Sequence, residues 1–378
     1  MPQIPFIHLA PKDAHRTGIA SYADTLHAAL SKYAPSLVLM RVDAGEFIRH
    51  LASFPNRAFV WAELGVNEGE TFRALRLQKQ LRPDFKRFIT IHDAPRFVHS
   101  PFAWLERFGT SFWRRAFRRA FNLTLEPLIL QQALKNDDEF LCLTTVGRDQ
   151  LNERLQRLLR RRTTVHFLPH VLYLDDPLPK RTSAPHTPAR LGFFGFITPN
   201  KGLHLLIDAA ISLNEKQQYE LVPNINIRGR ATEPYLNYLN TQRQKVQQAK
   251  LTKNICFGDF LPDEDLPTFL NEIDFLALPY DAPPVIAASG VLQWARTYGV
   301  PVVASATPAF SSLITHMRDG VLIPSKEFPT WEDFFVALST QKITPDLFTD
   351  GIKARQAEAS WKRIAEQVLN IISRSVAL

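Results

Sequence analysis

Leu191-Gly-Phe-Phe-Gly-Phe-Ile-Thr-Pro-Asn-Lys-Gly-Leu-His-Leu-Leu-Ile-Asp-Ala-Ala210 decides the fold. An apolar strand ends at about Gly195, a short loop follows, and Lys201-Gly202 opens an amphipathic helix. Strand, short loop and helix form the repeating unit of a parallel sheet. Gly195 permits close backbone approach. Lys201 places an ammonium at a helix N-terminus, where the dipole already favours anions. Together they suit a diphosphate, although any strand–loop–helix can carry a Gly and a Lys near its turn.

The same alternation continues on both sides of this stretch. Downstream strands are expected at Ile225–Arg228, Ile255–Phe257, Phe275–Pro279, Val302–Ser305 and Val321–Pro324. Upstream they are expected at Ile4–Ala10, Leu37–Val42, Ala58–Leu64, Phe88–His92, Phe140–Thr145 and Val165–Leu168, with a helix over Ile19–Tyr33. Pro177, Pro179, Pro185 and Pro188 interrupt the series as a linker. The fold class is therefore α/β: two doubly wound Rossmann-like domains facing across a cleft. The boundaries are 1–172, a Pro-rich linker 173–189, a second domain 190–360, and a C-terminal helix 361–378. Ligands in such sheets bind beyond the carboxyl ends of the strands.

With 378 residues, 45% hydrophobic and 22% charged, the chain is globular rather than disordered or fibrous. Cys142 and Cys256 are too few for a disulfide scaffold or a Cys-rich zinc site; both sit in apolar runs and read as core thiols. Asp137-Asp138, Asp175-Asp176 and Asp263–Asp265 read as solvated loops, so no metal site is expected. No apolar run reaches the roughly 20 residues of a membrane span. Met1–Ala10 does not read as a signal peptide. A cytoplasmic location follows, or a peripheral one on the cytosolic face of a membrane.

Residues 1–170 hold 25 Lys/Arg against 16 Asp/Glu, whereas the remainder holds 20 against 21. The positive excess lies in the first half, which is therefore suited to an anionic partner. Residues 98–121 concentrate it: Trp104, Trp113, Phe117 and Phe121 interleave with Arg107, Arg114, Arg115, Arg118 and Arg119. That pattern suits a helix lying in an anionic membrane surface, and equally a core-facing aromatic stripe with a solvated basic side. No nucleic-acid-binding signature is visible, so no nucleic-acid partner is expected.

Two further segments complete the picture. Asp274-Phe-Leu-Ala-Leu-Pro-Tyr-Asp281 ends a strand, and Ala287-Ala-Ser-Gly-Val-Leu292 opens the next helix with Ser289 as N-cap. Amides at Ser289, Gly290, Val291 and Leu292 suit a second anionic oxygen. Near the start, Arg16-Thr-Gly-Ile-Ala-Ser-Tyr22 puts Gly18 between a strand and a helix. In this order the three segments resemble the GT-B glycosyltransferases, within them the large retaining group called family 4. The turn Gly299-Val300-Pro301 and the ending Ser360-Trp-Lys-Arg-Ile-Ala-Glu366 share in the likeness. The resemblance covers most of the chain but is specific only over 191–324.

The resemblance implies roles. Gly18 would meet the donor diphosphate from the first domain, and Lys201 with Gly195 from the second. The turn from Ser289 to Leu292 would cap phosphate or sugar, and His92 in Thr90-Ile-His-Asp93 would face the transferred sugar. Two departures stand out. Phe196 occupies the place of an Arg that the family usually carries before the Lys. Ile286 and Trp294 stand where two glutamates usually hold sugar and ribose. Asp281 is the nearest upstream carboxylate and becomes the candidate substitute. The expected function is a metal-independent, retaining transfer from a nucleoside-diphosphate sugar, itself a substrate and not a cofactor, to a lipid-linked or polysaccharide acceptor. A catalytically silent GT-B-like scaffold and a nucleotide-sugar epimerase are the alternatives.

Overall fold

The computed structural model describes residues 5–12, 18–65, 68–96, 128–159, 163–177, 186–281 and 288–376. They fold into two compact units: 1–171 with 285–288 and 361–378, and 172–284 with 289–360.

The first unit is built on strands β1 (Pro5–Leu9), β2 (Val38–Val42), β3 (Phe59–Leu64), β4 (Lys86–Ile91), β5 (Glu139–Cys142) and β6 (Thr164–Phe167). Its helices are α1 (Gly18–Tyr33), α2 (Ala44–His50), α3 (Gly69–Leu81) and α4 (Thr145–Leu159). The sheet order is β2-β1-β3-β4-β5-β6, parallel throughout. Strand order reverses at β1/β3, which places the ligand crevice of such a sheet at the carboxyl ends of these two strands. All six residues of β3 are buried, as a central strand covered on both faces requires. The Arg87 guanidinium is fully buried and fully engaged: it donates to Asp138 at 2.7 and 2.5 Å, to the Leu75 and Ala133 carbonyls, and to Gln78. Asp138 is thus part of an interior ion pair and not a solvated loop, because β4 and β5 lie side by side and bring the two charges together.

The second unit carries β7 (Arg190–Phe196), β8 (Asn224–Arg230), β9 (Ile255–Gly258), β10 (Phe275–Leu278), β11 (Val302–Ser305) and β12 (Gly320–Ile323). Between and after them run α5 (Leu203–Glu215), α6 (Leu236–Gln248), α7 (Leu266–Asn271), α8 (Gly290–Thr297), α9 (Pro308–Leu313), α10 (Trp331–Ser339) and α11 (Thr349–Glu358). The order β12-β11-β10-β7-β8-β9 is again all parallel and reverses at β7/β10. One core lies under α5, α6, α10 and α11, and another under α7, α8 and α9. Cys142 is buried, which pushes its thiol up to about 12, but Cys256 is exposed. Cys256 falls on β9, the edge strand, with its side chain on the face opposite buried Ile255.

The last helix, α12 (Trp361–Val376), belongs to the first unit. Its apolar positions Ile364, Ala365, Val368, Ile371 and Ile372 recur at helical spacing and share a core with Tyr22, Leu26 and Leu30 of α1. The described parts of the Pro-rich segment are tied to the second unit. The Leu172 amide donates to the Ala359 carbonyl, the Tyr173 amide to Thr297 Oγ1, and the His186 ring lies 3.0 Å from Asp274.

Candidate active site

Each unit presents its distinctive chemistry at the point where its strand order reverses. In the second unit, β7 reaches its end through Gly195 at φ 116°, a conformation that side chains disfavour. The amide at 229 on the next strand must also be a glycine's, since a Cβ there would lie 2.3 Å from the Gly195 carbonyl. The chain then makes a single 3-10 turn, Pro199–Lys201, and α5 starts only at Leu203. Lys201 therefore precedes the helix. Gly202 makes the turn between them at φ 69°; a Cβ there would fall 1.6 Å from the Pro279 carbonyl oxygen. The loop after β7 is thereby pressed onto the end of β10.

That contact delivers Lys201 to Tyr280. The Lys201 ammonium sits 3.7 Å from the centre of the Tyr280 ring, a cation–π contact. The Tyr280 hydroxyl is 3.3 Å from Ser289 Oγ, and its ring meets Phe310 edge-on. Ser289 caps α8 by accepting from the Leu292 amide. The cap therefore uses the Leu292 N–H and leaves those of Gly290 and Val291 as the amides that precede the first intrahelical bond. Val291 lies 3.8 Å from the position a Gly195 Cβ would take, so the helix start and the strand end are neighbours. Lysine, tyrosine, serine cap and two glycines thus form one connected set. Tyr280 was not among the residues the sequence singled out, although an aromatic directly after the Leu-Pro strand end was the available signal.

The two departures also take structural form. Phe196 is in register with Arg230 on β8, whose guanidinium carbon lies 5.2 Å from the Phe196 ring and 4.7 Å from that of Phe260. A cation thus stands beside the place where the resemblance expects one. Trp294 stacks on Tyr173 with ring centres 4.2 Å apart, and a Cβ on Gly290 would come within 2.8 Å of the Tyr173 hydroxyl. Asp281 donates its backbone N–H to the Asn200 carbonyl, one residue before Lys201. Its carboxylate is 60% exposed and 3.9 Å from His204 Nε2.

In the first unit, the ends of β1, β3 and β4 bring together His8, Glu63 and His92. Glu63 has no exposure, yet it is ionised: burial alone raises its carboxyl, and hydrogen bonds from His8 and His92 outweigh that and hold it down to about 2. His92 Nε2 is 2.8 Å from Glu63 Oε2, and His8 Nε2 is 3.1 Å from Oε1. A carboxylate only accepts, so both imidazoles donate through Nε2. Trp61 Nε1 donates to the same carboxylate at 2.9 Å. Tyr22 of α1 meets the rings of His92 and His170 edge-on, and burial raises its hydroxyl well above the ordinary range. His27 stacks on His8; burial, then the neighbouring His8 charge, lowers it to about 4. Glu63 itself was missed from sequence, although a carboxylate inside the apolar run Phe59–Leu64 was the signal. Gly18 is the first residue of α1, and among the described residues a Cβ there would meet nothing within 4 Å.

The proposed membrane-facing residues, Trp104 through Arg119, lie outside the described residues, as does Ile286. Among the described residues no helix is long and apolar enough to cross a membrane, and no group of three or more His, Cys, Asp or Glu is placed to hold a metal ion.

Two parallel six-stranded doubly wound units, each with its polar groups at the reversal of strand order, have the architecture of the GT-B fold. Residues 175–335 match the family described as Glycosyl transferases group 1. D-inositol 3-phosphate glycosyltransferase of Jonesia denitrificans is 25% identical over 190 residues, covering 48% of this chain and 42% of that protein. This chain thus spans under half the length of the curated relative it matches. HepE of Anabaena, solved in complex with UDP and glucose, superposes with a TM-score of 0.66 at 14% identity, over 98% of this chain and 100% of that one. Sucrose-phosphate synthase of Thermosynechococcus elongatus gives 0.66 at 14%, over 99% and 100%. At these identities the likeness carries the fold.

Proposed function

We propose that this protein is a glycosyltransferase that uses a nucleoside-diphosphate sugar. The observation that carries the proposal is the connected set at the β7/β10 strand ends: Gly195, Lys201, Tyr280 and the Ser289-capped start of α8. Leaving of a nucleoside diphosphate places growing negative charge on phosphate oxygens. The Lys201 ammonium and the Gly290 and Val291 amides meet such charge with fixed positive ends, which lowers the barrier without reorganisation. In this reading they do so without a metal. Arg230 adds a second cation beside Phe196. Gly195 keeps a side chain out of the space that a diphosphate needs, and Gly202 lets the Lys201 loop press onto the end of β10.

Retention of configuration, His92 against the transferred sugar, Gly18 against the diphosphate and Asp281 as a hydroxyl acceptor are parts of the same proposal and rest on the resemblance. So does the acceptor, a lipid-linked sugar or a growing polysaccharide. The basic first half supports an anionic surface as the place of work, with residues 98–121 as its contact.

A thermal-shift panel of UDP, GDP, ADP and their sugar conjugates tests the donor. At 100 times its dissociation constant a ligand stabilises by about 2.7 kcal/mol. One responding base is expected, followed by release of that nucleoside diphosphate when acceptor is supplied. A second reading, a GT-B-shaped binding protein without turnover, draws on Trp294: the place of the ribose-holding glutamate is filled by a ring stacked on Tyr173. Binding without turnover on any acceptor would favour it.

A further inference from the structure

We propose that Glu63 is a positioning residue of the first unit's site: its buried carboxylate holds His92 through Nε2, fixing the tautomer and turning Nδ1 into the nitrogen that meets the ligand. The proposal rests on the reading that His92 faces the transferred sugar.

The geometry is closed on the Glu63 side. Oε2 accepts from His92 at 2.8 Å; Oε1 accepts from His8 at 3.1 Å and from Trp61 at 2.9 Å. Trp61 Nε1 also lies 3.1 Å from Thr90 Oγ1, on the strand that leads into His92. An imidazole has two nitrogens, and the first is committed to Glu63. The ring plane is set by the edge of Tyr22, 5.0 Å away between centres. His92 is the only member of the Glu63–His8–His92 trio with exposure, its side chain being 10% accessible, while Glu63 and His8 have none.

Stability does not explain the arrangement. A buried ion with its partners is commonly no more stabilising than apolar side chains of the same volume. Here the cost is greater, because His8 Nδ1, His27 Nδ1 and the Tyr22 hydroxyl are buried with no hydrogen-bond partner among the described residues. Each such atom has given up its hydrogen bonds to water with no replacement, a net cost to the fold. A strand reversal point that accepts this cost is one that holds a polar side chain for use. The groups facing Glu63 are His8 from β1, Trp61 from β3, Thr90 and His92 from β4 and its end, and Tyr22 from α1; His27 and His170 line the outer side of this set.

Glu63→Gln separates positioning from packing. The amide keeps shape and volume, but its NH2 group faces one ring and donates where the carboxylate accepted. When that ring is His92, Nε2 becomes the acceptor and the proton moves to Nδ1. Nitrogen-15 NMR of the histidine side chains in the full chain, assigned with His92→Ala, reads this directly. The wild type is expected to show His92 with its neutral proton on Nε2, and Glu63→Gln the other tautomer. A wild-type His92 protonated on Nδ1 overturns the proposal, with no activity needed. Turnover is then followed as UDP released from UDP-glucose. Glu63→Gln is expected to lower kcat at least tenfold with KM for UDP-glucose within twofold, and to have no further effect in the His92→Ala background. A fall in KM-affinity alone, or a full additional loss beside His92→Ala, contradicts it. If none of UDP, GDP, ADP and their sugar conjugates binds even the wild type, the donor reading fails, while the tautomer measurement still decides the role of Glu63.

Discussion

The two strand-order reversals solve one topological problem with opposite chemistry. At β1/β3 the functional groups are side chains, locked to one another in the interior: a carboxylate with no exposure, two imidazoles and an indole. At β7/β10 they are glycines, amides at a helix start and one ammonium laid on an aromatic ring. The first arrangement fixes a single nitrogen in space. The second makes room for a chain of oxygens and supplies positive ends along it. Under the proposed function the first would meet the reacting sugar and the second the leaving diphosphate.

Substitutions at close-packed or paired interior groups are expected to appear as lost stability, and those at groups lining the second strand reversal as lost ligand. The largest effect is expected at Asp138→Ala, which strands the Arg87 guanidinium in the interior; breaking such a pair costs about 3–5 kcal/mol, measurable by urea unfolding. Next comes Gly202→Ala, where a Cβ meets the Pro279 carbonyl at 1.6 Å. Overpacking of this kind costs about 1–3 kcal/mol, whereas Gly18→Ala, which meets nothing within 4 Å among the described residues, should leave the unfolding midpoint unchanged. Lys201→Ala should unfold like the wild type but bind its nucleoside diphosphate more weakly by about 1.5–3 kcal/mol, as read by calorimetry. Tyr280→Leu removes the cation–π partner along with the hydroxyl beside Ser289 and the ring edge on Phe310; the lost cation–π contact should cost about 0.5–1 kcal/mol of the same affinity, while Tyr280→Phe keeps the ring and most of the binding.

Acid sharpens the contrast further. Glu63 is held below its ordinary 4.5 to about 2, so its share of stability is present above about pH 4.5 and is lost as pH falls towards 2. His27 is held below 6.5 to about 4, so the unfolded chain takes up its proton first and stability falls as pH drops from 6.5 towards 4. Both act in the first unit and in the same direction. His27→Phe should therefore flatten the loss of melting temperature between pH 6.5 and 4; an unchanged slope would remove His27 from this account.

Much of the fold was legible because both sheets are parallel and covered on their inner strands, so each strand reads as a short apolar run. Ala58–Leu64 and Val302–Ser305 fall within a residue of β3 and β11. Side-chain partners across the sheet were not legible. Asp138 looks like half of a surface pair until β4 sets Arg87 beside it, and Cys256 looks apolar until its strand proves to be an edge. At the site, the glycines, Lys201 and the Ser289 cap announce themselves by position in the chain. Tyr280 and Glu63 do not, since each gains its role from residues 79 and 29 positions away, Lys201 and His92.

The most direct test is calorimetric titration of the wild type and of Lys201→Ala with UDP, GDP and ADP. Binding of one nucleoside diphosphate by the wild type, weakened at least tenfold by Lys201→Ala at unchanged melting temperature, is the predicted result. Equal binding by both proteins, or no binding by the wild type, would contradict the assignment of the second strand reversal as the donor site.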